Sequence, residues 1–294
     1  MRRTATPLAV ALFAAACAGP PRSPAPPPAG DAPARAAPPP SPIDVPKAPT
    51  PPIAPAPADE PAPRAATPPF EAPPGTLVDL PVSGHAPAVV ALPKEGRRPL
   101  IVATHGAGGT PEAQCAYWRD LVDEAAFVLC PRGVTMDVYA KPEDRGWFYP
   151  AHPALEREVR AALAALEARF PGRVDLDRAL YTGFSQGAVM GALAFSRAPT
   201  PFTALVLVEG GAEEWAGYNA KSFAKGGGQR VILACGRPSC ADAARRSAAI
   251  LRRAGVDVRV IDATGAGHTP GGAVRERLVE ALPWLLEGDA RYGR

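Results

Sequence analysis

The sequence predicts an α/β fold in which a mostly parallel central sheet carries helices on both faces. Two observations lead to this prediction. Strand-like segments alternate with helix-like segments, and most of the strand-like segments are uninterrupted apolar runs such as Leu100–Ala103. Such runs are typical of strands buried on both faces, and strands joined through helices run parallel. We therefore expect functional residues in the loops at the carboxyl ends of the strands.

The predicted elements follow one another in a regular order. Two short segments, Thr76–Val82 and Pro87–Pro93, are predicted to be edge strands joined by a turn. The later strands are predicted in the segments PLIVAT, FVLC, ALYT, TALVLV, VILAC and VDVRVID. Helices are predicted in the segments TPEAQCAYWRDLVDEA, ALEREVRAALAALEARF, AVMGAL, ADAARRSAAILRRAG and AVRERLVEALPWLLEG. Thr110 is a suitable N-cap for the first helix, and Pro111 suits its first turn.

The N-terminal part of the chain is predicted to lie outside the folded domain, which we place at residues 76–290. Residues 1–17 contain two arginines, a short apolar run and small residues before Cys17, as a secretory signal peptide does. Residues 18–75 hold about 23 of the 39 prolines. Because proline fixes φ and lacks an N–H, we expect a disordered, Pro/Ala-rich linker there.

The position of Cys17 resembles a bacterial lipobox, in which the cysteine is lipidated and becomes the mature N-terminus. Ala14 stands where that motif usually has leucine, and simple cleavage with an incidental Cys17 is the alternative. An acyl anchor followed by a long linker predicts an exported protein held at a membrane of the bacterial cell envelope. The net charge of +3 is small and its arginines are dispersed, so no nucleic-acid partner is expected.

Four cysteines lie within the predicted domain, and an even number in an exported domain suggests disulfides. Four cysteines permit three pairings, of which the local one is the simplest: Cys115 with Cys130, and Cys235 with Cys240. A metal site is the competing hypothesis, but no histidine lies at ligand spacing from either pair. We therefore expect two disulfides and no metal.

The segment GFSQG, Gly183–Gly187, places a serine between two glycines where a predicted strand meets a predicted helix. A sharp reversal there forces Ser185, at its apex, toward strained backbone angles. The residues two positions away on either side must lack side chains so that strand and helix can pack. The serine hydroxyl is then exposed at the positive end of a helix, and the N–H of Gln186 is free to bind a developing oxyanion.

Two further motifs accompany this serine. The segment THGAGG, residues 104–109, follows a predicted central strand, and its glycines expose backbone N–H groups, as a second oxyanion donor requires. The segment GAGH places His268 after the last predicted strand, in a glycine-rich loop that can approach Ser185. Of the four histidines, His268 is the one positioned to act as a general base.

With HGAGG, GFSQG and GAGH in this order, residues 77–287 resemble the α/β-hydrolase superfamily. Within it they resemble the esterase branch of carboxylesterases, phospholipase-like thioesterases and polyhydroxybutyrate depolymerases. The resemblance implies an α/β-hydrolase fold with Ser185 as nucleophile and His268 as base. It also implies an oxyanion hole formed by the N–H groups of Ala107 and Gln186. The implied reaction is hydrolysis of small carboxylic or thio esters through an acyl-serine, with no metal or organic cofactor.

The triad acid is where the sequence departs from this family. Relatives usually carry aspartate three residues after the glycine that ends the strand corresponding to VILACG, and Ser239 occupies that position. Asp242 lies nearby, in the first turn of the next predicted helix, where the helix dipole alone explains an aspartate. Glu209 ends the strand TALVLV, where protonated His268 would offset its desolvation. Both carboxylates remain candidates, with Glu209 preferred.

Aromatic residues are predicted near the mouth of the site. Trp147, Tyr149 and Trp215 could form a wall for an acyl or aryl group, or they could pack the long polar loop onto the domain. No large lid insertion is visible, which favours short or soluble esters. Because the acid is uncertain, the alternative function is a catalytically inactive binding protein of the cell envelope.

Overall fold

The computed structural model describes residues 72–137, 140–141, 145–197 and 200–292. The predicted signal peptide, Cys17 and the linker up to residue 71 lie outside the described residues, so these three predictions remain untested. Residues 72–75, which we assigned to the linker, already contact the domain, because the Gly75 N–H donates to the Leu92 carbonyl at 2.8 Å. In the part of the chain that the structure describes, none of the helices is long and apolar enough to cross a membrane.

Ten strands are present in the described residues, and eight of them form a central sheet. Their bounds are β1 Leu77–Leu80, β2 Ala88–Ala91, β3 Arg98–Thr104, β4 Phe127–Cys130, β5 Val134–Thr135, β6 Trp147–Phe148, β7 Val174–Phe184, β8 Phe202–Val208, β9 Arg230–Cys235 and β10 Asp257–Asp262. The order in the sheet is β1-β2-β4-β3-β7-β8-β9-β10, while β5 and β6 form a separate hairpin. In the eight-stranded sheet, β2 alone runs opposite to the other strands, antiparallel to both β1 and β4. The prediction of a mostly parallel sheet is therefore confirmed.

Six helices connect these strands in the described residues. They are α1 Pro111–Leu121, α2 His152–Arg169, α3 Gln186–Phe195, α4 Gly217–Lys225, α5 Pro238–Arg253 and α6 Gly272–Leu285, and a 3₁₀ turn follows at Ala290–Tyr292. Helix α4 was not predicted. Its buried residues Asn219, Ala220 and Phe223 lie on one face, but it spans only 9 residues and follows Ala216, which is not a favoured N-cap, so the sequence gives a weak start signal.

The sheet separates two hydrophobic cores, as a strand's alternating side chains require. In β3, Leu100 and Val102 join the core under α2–α5, while Ile101 and Ala103 join the core under α1 and α6. Because helices cover both faces of β3, its side chains are buried at successive positions and polar residues cannot alternate with apolar ones. The sequence of β3 is therefore one apolar run. The prediction of helices on both faces is confirmed.

The two predicted edge strands have different positions in the sheet. The prediction of two edge strands is correct for β1 and wrong for β2, which also pairs with β4 through Val89 and Cys130. All four residues of β2 are buried, as an interior strand requires.

The predicted disulfide pairing is confirmed. Cys115–Cys130 joins α1 to β4, and Cys235–Cys240 closes the loop from β9 to α5, with Cα–Cα distances of 5.8 and 5.4 Å.

Candidate active site

Ser185 lies at the sharp turn between β7 and α3, at φ 50° and ψ −114°. Such an angle is strained for a residue with a side chain and costs about 1–3 kcal/mol. The two flanking glycines make the turn possible. A Cβ on Gly183 would lie 2.5 Å from the Ala188 nitrogen, and one on Gly187 would lie 2.5 Å from the Thr104 hydroxyl oxygen. Strand β7 and helix α3 therefore pack as closely as the sequence predicted.

A buried polar cluster supports this turn from below. The Tyr181 hydroxyl donates to the Gly187 carbonyl at 2.7 Å and shares a 2.6 Å hydrogen bond with the Thr104 hydroxyl. Burial raises the pKa of Tyr181, and the bond with Thr104 opposes that rise only in part. The hydroxyl therefore stays protonated and remains available as a donor. The cluster fixes the start of α3 against β3 and β7.

His268 connects the serine to a carboxylate. Its Nε2 lies 2.8 Å from Ser185 Oγ, and its Nδ1 lies 2.9 Å from Glu209 Oε2. It sits in the loop between β10 and α6, while Glu209 directly follows β8. The structure thus brings the three side chains together in the order that a serine nucleophile, a base and an orienting acid require.

Glu209 is held by more groups than His268 alone. Its side chain is fully buried, and its backbone is in the left-handed region at φ 54°. Oε1 accepts hydrogen bonds from the backbone N–H groups of Gly236 and Arg237. Oε2 accepts hydrogen bonds from His268 Nδ1 and, at 2.6 Å, from Arg237 Nε. Burial by itself would raise the pKa of Glu209, but these four donors together lower it below its ordinary value. Glu209 is therefore ionised at neutral pH.

Asp242, the other candidate acid, does not contact His268. Its carboxylate is mostly exposed on α5 and pairs with Arg245 at 2.7 Å. The reason is the short loop before α5, which the Cys235–Cys240 disulfide closes. That loop turns its backbone N–H groups toward Glu209 and leaves Asp242 on the outer surface of the helix. Of the two candidate carboxylates, Glu209 is the one that contacts His268.

The segment from His105 to Gly109 lies directly beside Ser185. A Cβ on Gly106 would come within 3.1 Å of the Ser185 Cβ, so only glycine fits without displacement. The N–H groups of Gly108 and Gly109 bond to the carbonyls of Trp147 and Gly106. Among the described residues, no protein acceptor is found for the N–H of Ala107 or of Gln186. These two N–H groups are therefore available to a bound ligand.

His105 fixes the shape of this segment. Its two ring nitrogens contact the Gly106 carbonyl at 2.8 Å and the Arg132 carbonyl at 3.0 Å, and its ring stacks on Tyr149. Burial lowers the pKa of His105, and the two carbonyl contacts oppose that effect. These contacts of His105 hold the segment that carries Gly106 and Ala107 in place beside Ser185.

A cavity of about 360 Å³ opens beside Ser185 and His268. Its apolar part consists of Val189, Ala212, Cys240 and Ala243, and its polar part includes Glu213, Glu214 and Arg237. Burial, together with the charge of Glu213, raises the pKa of Glu214. The cavity can hold a small organic molecule against the serine hydroxyl.

The predicted aromatic wall is not found beside this cavity. Tyr149 is fully buried and its hydroxyl donates to the Pro131 carbonyl, while Trp215 is 4 % exposed and packs edge-on against Phe223. Of the two alternatives, packing fits these two side chains, since Tyr149 is held against Pro131 and Trp215 packs against Phe223 of α4. Trp147 is half-buried and lines a separate cavity of about 560 Å³, so its predicted role stays a prediction.

Arg237 is the site residue that sequence reasoning missed. It follows Gly236, which comes directly after β9. In the sequence, a single arginine at the start of a helix gives no indication that its side chain contacts a carboxylate that follows another strand. Its neighbours Cys235 and Cys240, with Glu209, have potential ligand atoms within 4.8 Å of one another. The two sulfur atoms are bonded to each other in a disulfide, so they are not available as thiolate ligands.

Comparison with known proteins gives structural matches only. No protein-family model matches the sequence, and no curated protein matches it significantly. Esterase PE8 is 20 % identical with a TM-score of 0.51, covering 71 % of this chain and 100 % of its own. A dienelactone hydrolase-like promiscuous phosphotriesterase from metagenomic libraries is 19 % identical with a TM-score of 0.53, covering 71 % and 97 %.

Esterase B from Lactobacillus rhamnosis is 15 % identical with a TM-score of 0.51, covering 74 % of this chain and 86 % of its own. These similarities concern the fold, since the identities are low. They agree with the mostly parallel eight-stranded sheet and its helices on both faces. The chain therefore has the α/β-hydrolase fold.

Proposed function

We propose that this protein is a serine esterase that hydrolyses small carboxylic or thio esters through an acyl-serine. The observation that carries the proposal is the continuous hydrogen-bonded path from Ser185 Oγ through His268 to Glu209, with separations of 2.8 and 2.9 Å. A serine hydroxyl is a weak nucleophile unless a base removes its proton, and this path supplies the base and its orienting acid.

The first half of the reaction forms the acyl-serine. His268 Nε2 takes the Ser185 proton as Oγ attacks the ester carbonyl carbon, and the carbonyl oxygen becomes an oxyanion. The N–H groups of Ala107 and Gln186 would bind that oxyanion, and the N-terminus of α3 adds a favourable dipole. The intermediate collapses with cleavage of the ester C–O bond (or C–S bond), and the imidazolium returns its proton to the leaving alcohol or thiol.

The second half releases the acid. Water takes the place of the leaving group, His268 Nε2 accepts its proton, and the hydroxide attacks the acyl carbon. The tetrahedral intermediate then expels Ser185 Oγ, which regains the proton from His268. Glu209 stays ionised throughout and holds Nδ1–H of the ring, so that Nε2 faces the serine. The proposed chemistry uses side chains and backbone of this chain alone.

The cavity indicates the substrate class. Its volume of about 360 Å³ accommodates a short acyl or alcohol group. Glu213 and Glu214 place negative charge on its wall, so we expect neutral esters to bind better than anionic ones.

Turnover of p-nitrophenyl acetate and butyrate tests the proposal. We expect hydrolysis by the wild type and its loss, by a factor of at least about 10³, in Ser185→Ala. Ser239→Ala is the matched control, since Ser239 also lines the cavity but has no contact with His268 among the described hydrogen bonds. No turnover by the folded wild type would favour the alternative, an inactive binding protein with this fold.

Export and anchoring form a separate part of the proposal. We infer that residues 1–17 direct export and that Cys17 is lipidated, which would hold the enzyme at a membrane of the cell envelope. The two disulfides support this location, because disulfides persist in oxidising compartments. Metabolic labelling with a palmitate analogue, compared between the wild type and Cys17→Ala, tests the lipid anchor.

A further inference from the structure

We propose that Arg237 is a positioning residue that holds the acid, Glu209, in the orientation that His268 requires. The proposal rests on the proposed esterase function and adds a residue to its machinery. Arg237 Nε lies 2.6 Å from Glu209 Oε2, the same oxygen that binds His268 Nδ1 at 2.9 Å. One carboxylate oxygen therefore serves two cationic or potentially cationic groups.

The loop that carries Arg237 is built for this contact. It begins at the end of β9 and is closed by the Cys235–Cys240 disulfide. The backbone N–H groups of Gly236 and Arg237 hold Oε1 of Glu209, and the Arg237 side chain holds Oε2. Both oxygens of a fully buried carboxylate are thereby fixed in position before His268 binds. This arrangement limits the orientation that His268 can take toward Ser185.

The contact also helps to keep the acid ionised. Burial alone would raise the pKa of Glu209, but the backbone N–H groups of Gly236 and Arg237, His268 and the Arg237 guanidinium together lower it. Without the Arg237 side chain, Oε2 keeps a single donor, and the carboxylate is held less firmly toward His268 Nδ1. Because a small displacement of a catalytic group slows the chemical step, loss of Arg237 should lower kcat rather than raise KM.

The test compares kcat and KM for the wild type, Arg237→Gln and Arg237→Lys, with p-nitrophenyl butyrate as substrate. We expect Arg237→Gln to lower kcat by about 10-fold or more, with KM within about twofold of the wild type. We expect Arg237→Lys, which keeps a cationic donor but not the planar guanidinium, to recover part of that loss. Arg245→Gln, a change at an exposed arginine of α5, should change neither quantity.

Active-site titration with a phosphonate corrects kcat for inactive protein, so partial unfolding cannot imitate the expected result. An unchanged kcat in Arg237→Gln, or an Arg237→Lys variant no more active than Arg237→Gln, would overturn the inference while leaving the esterase proposal intact. A wild type without turnover and without phosphonate labelling would instead overturn the esterase proposal itself.

Discussion

Glu209 Oε2 lies 2.9 Å from His268 Nδ1, although the two residues are 59 positions apart and follow different strands. Strands β8 and β10 are separated only by β9 in the sheet, so the loops at their carboxyl ends meet above it. Glu209 reaches His268 from a backbone in the left-handed region, at φ 54°. A strained residue at such a place is typical of a functional site.

Replacing the two candidate acids should separate their roles. We expect Glu209→Gln to lower kcat by about 10²–10⁴-fold, because a neutral amide cannot stabilise the imidazolium or select the required tautomer. We expect Asp242→Asn to stay within about twofold of the wild type, because it removes only an exposed ion pair with Arg245. Steady-state kinetics with p-nitrophenyl butyrate measures both. The opposite ranking would show that Asp242 is the acid.

The close packing at the turn predicts a strong effect of one methyl group. In Gly183→Ala the new Cβ would meet backbone atoms of Gly187 and Ala188, with 2.5 Å to the Ala188 nitrogen. We expect a loss of stability of about 2 kcal/mol or more and loss of activity, as strand and helix separate. Gly217→Ala is the matched control, since its Cβ meets nothing within 4 Å. Thermal unfolding and turnover of both variants test this, and a fully active Gly183→Ala would contradict it.

The two disulfides should differ in what they support. Cys115–Cys130 spans 15 residues, so its removal should cost about 3 kcal/mol, and it lies in the core between α1 and β4 without contact to Glu209 among the described hydrogen bonds. Cys235–Cys240 spans 5 residues and should cost about 2 kcal/mol. Its removal should also reduce turnover, because it closes the loop that holds Glu209.

Denaturant titration and kcat of the two double Cys→Ala variants, measured where both are folded, check this contrast. Full activity without Cys235–Cys240 would show that the loop does not need its disulfide. A marked loss of kcat without Cys115–Cys130 would show that the core disulfide also shapes the site.

Glu158 predicts a pH dependence of stability away from the site. It is 4 % exposed, and it accepts the Gly133 N–H at 2.8 Å. Burial raises its pKa above the ordinary value of 4.5, an effect that the Gly133 bond opposes only in part. The folded state therefore holds this proton more tightly than the unfolded state does. As pH rises through the ordinary value and then the raised one, the wild type loses stability at this residue.

Glu158→Gln keeps an oxygen for the Gly133 N–H and removes the buried charge. We expect its free energy of unfolding, relative to wild type, to increase as pH rises from about 4 to about 7. Glu156→Gln, two residues earlier on α2 and paired with Arg160 at the surface, is the control and should show no such increase. A pH-independent difference for Glu158→Gln would contradict the prediction.

The parts of the fold that the sequence predicted are those governed by local patterns. Apolar runs identify the buried strands, and the spacing Gly183, Ser185, Gly187 requires a sharp turn wherever strand and helix meet. Helix α4 was missed because it spans only 9 residues and follows Ala216, which gives no strong helix start signal. Two alternatives stayed open for Tyr149 and Trp215 because an aromatic ring near a site and one beneath it have the same sequence context.

The acid and its partner could not be fixed from the sequence for a different reason. Whether Glu209 or Asp242 reaches His268 depends on which loops are neighbours above the sheet and on how tightly the Cys235–Cys240 loop closes. The contact of Arg237 with Glu209 depends further on a side-chain conformation. Such relations between distant segments are set by tertiary packing, which no local spacing encodes.

Covalent labelling by a fluorophosphonate, followed by mass spectrometry of the peptides, tests most directly whether Ser185 is the nucleophile. We expect one adduct per folded chain, on Ser185, and no adduct in Ser185→Ala. Labelling of Glu209→Gln should be slower than that of the wild type, because His268 loses its orienting acid. A folded wild type without an adduct, or with the adduct on another serine, would contradict the assignment of Ser185 as the nucleophile.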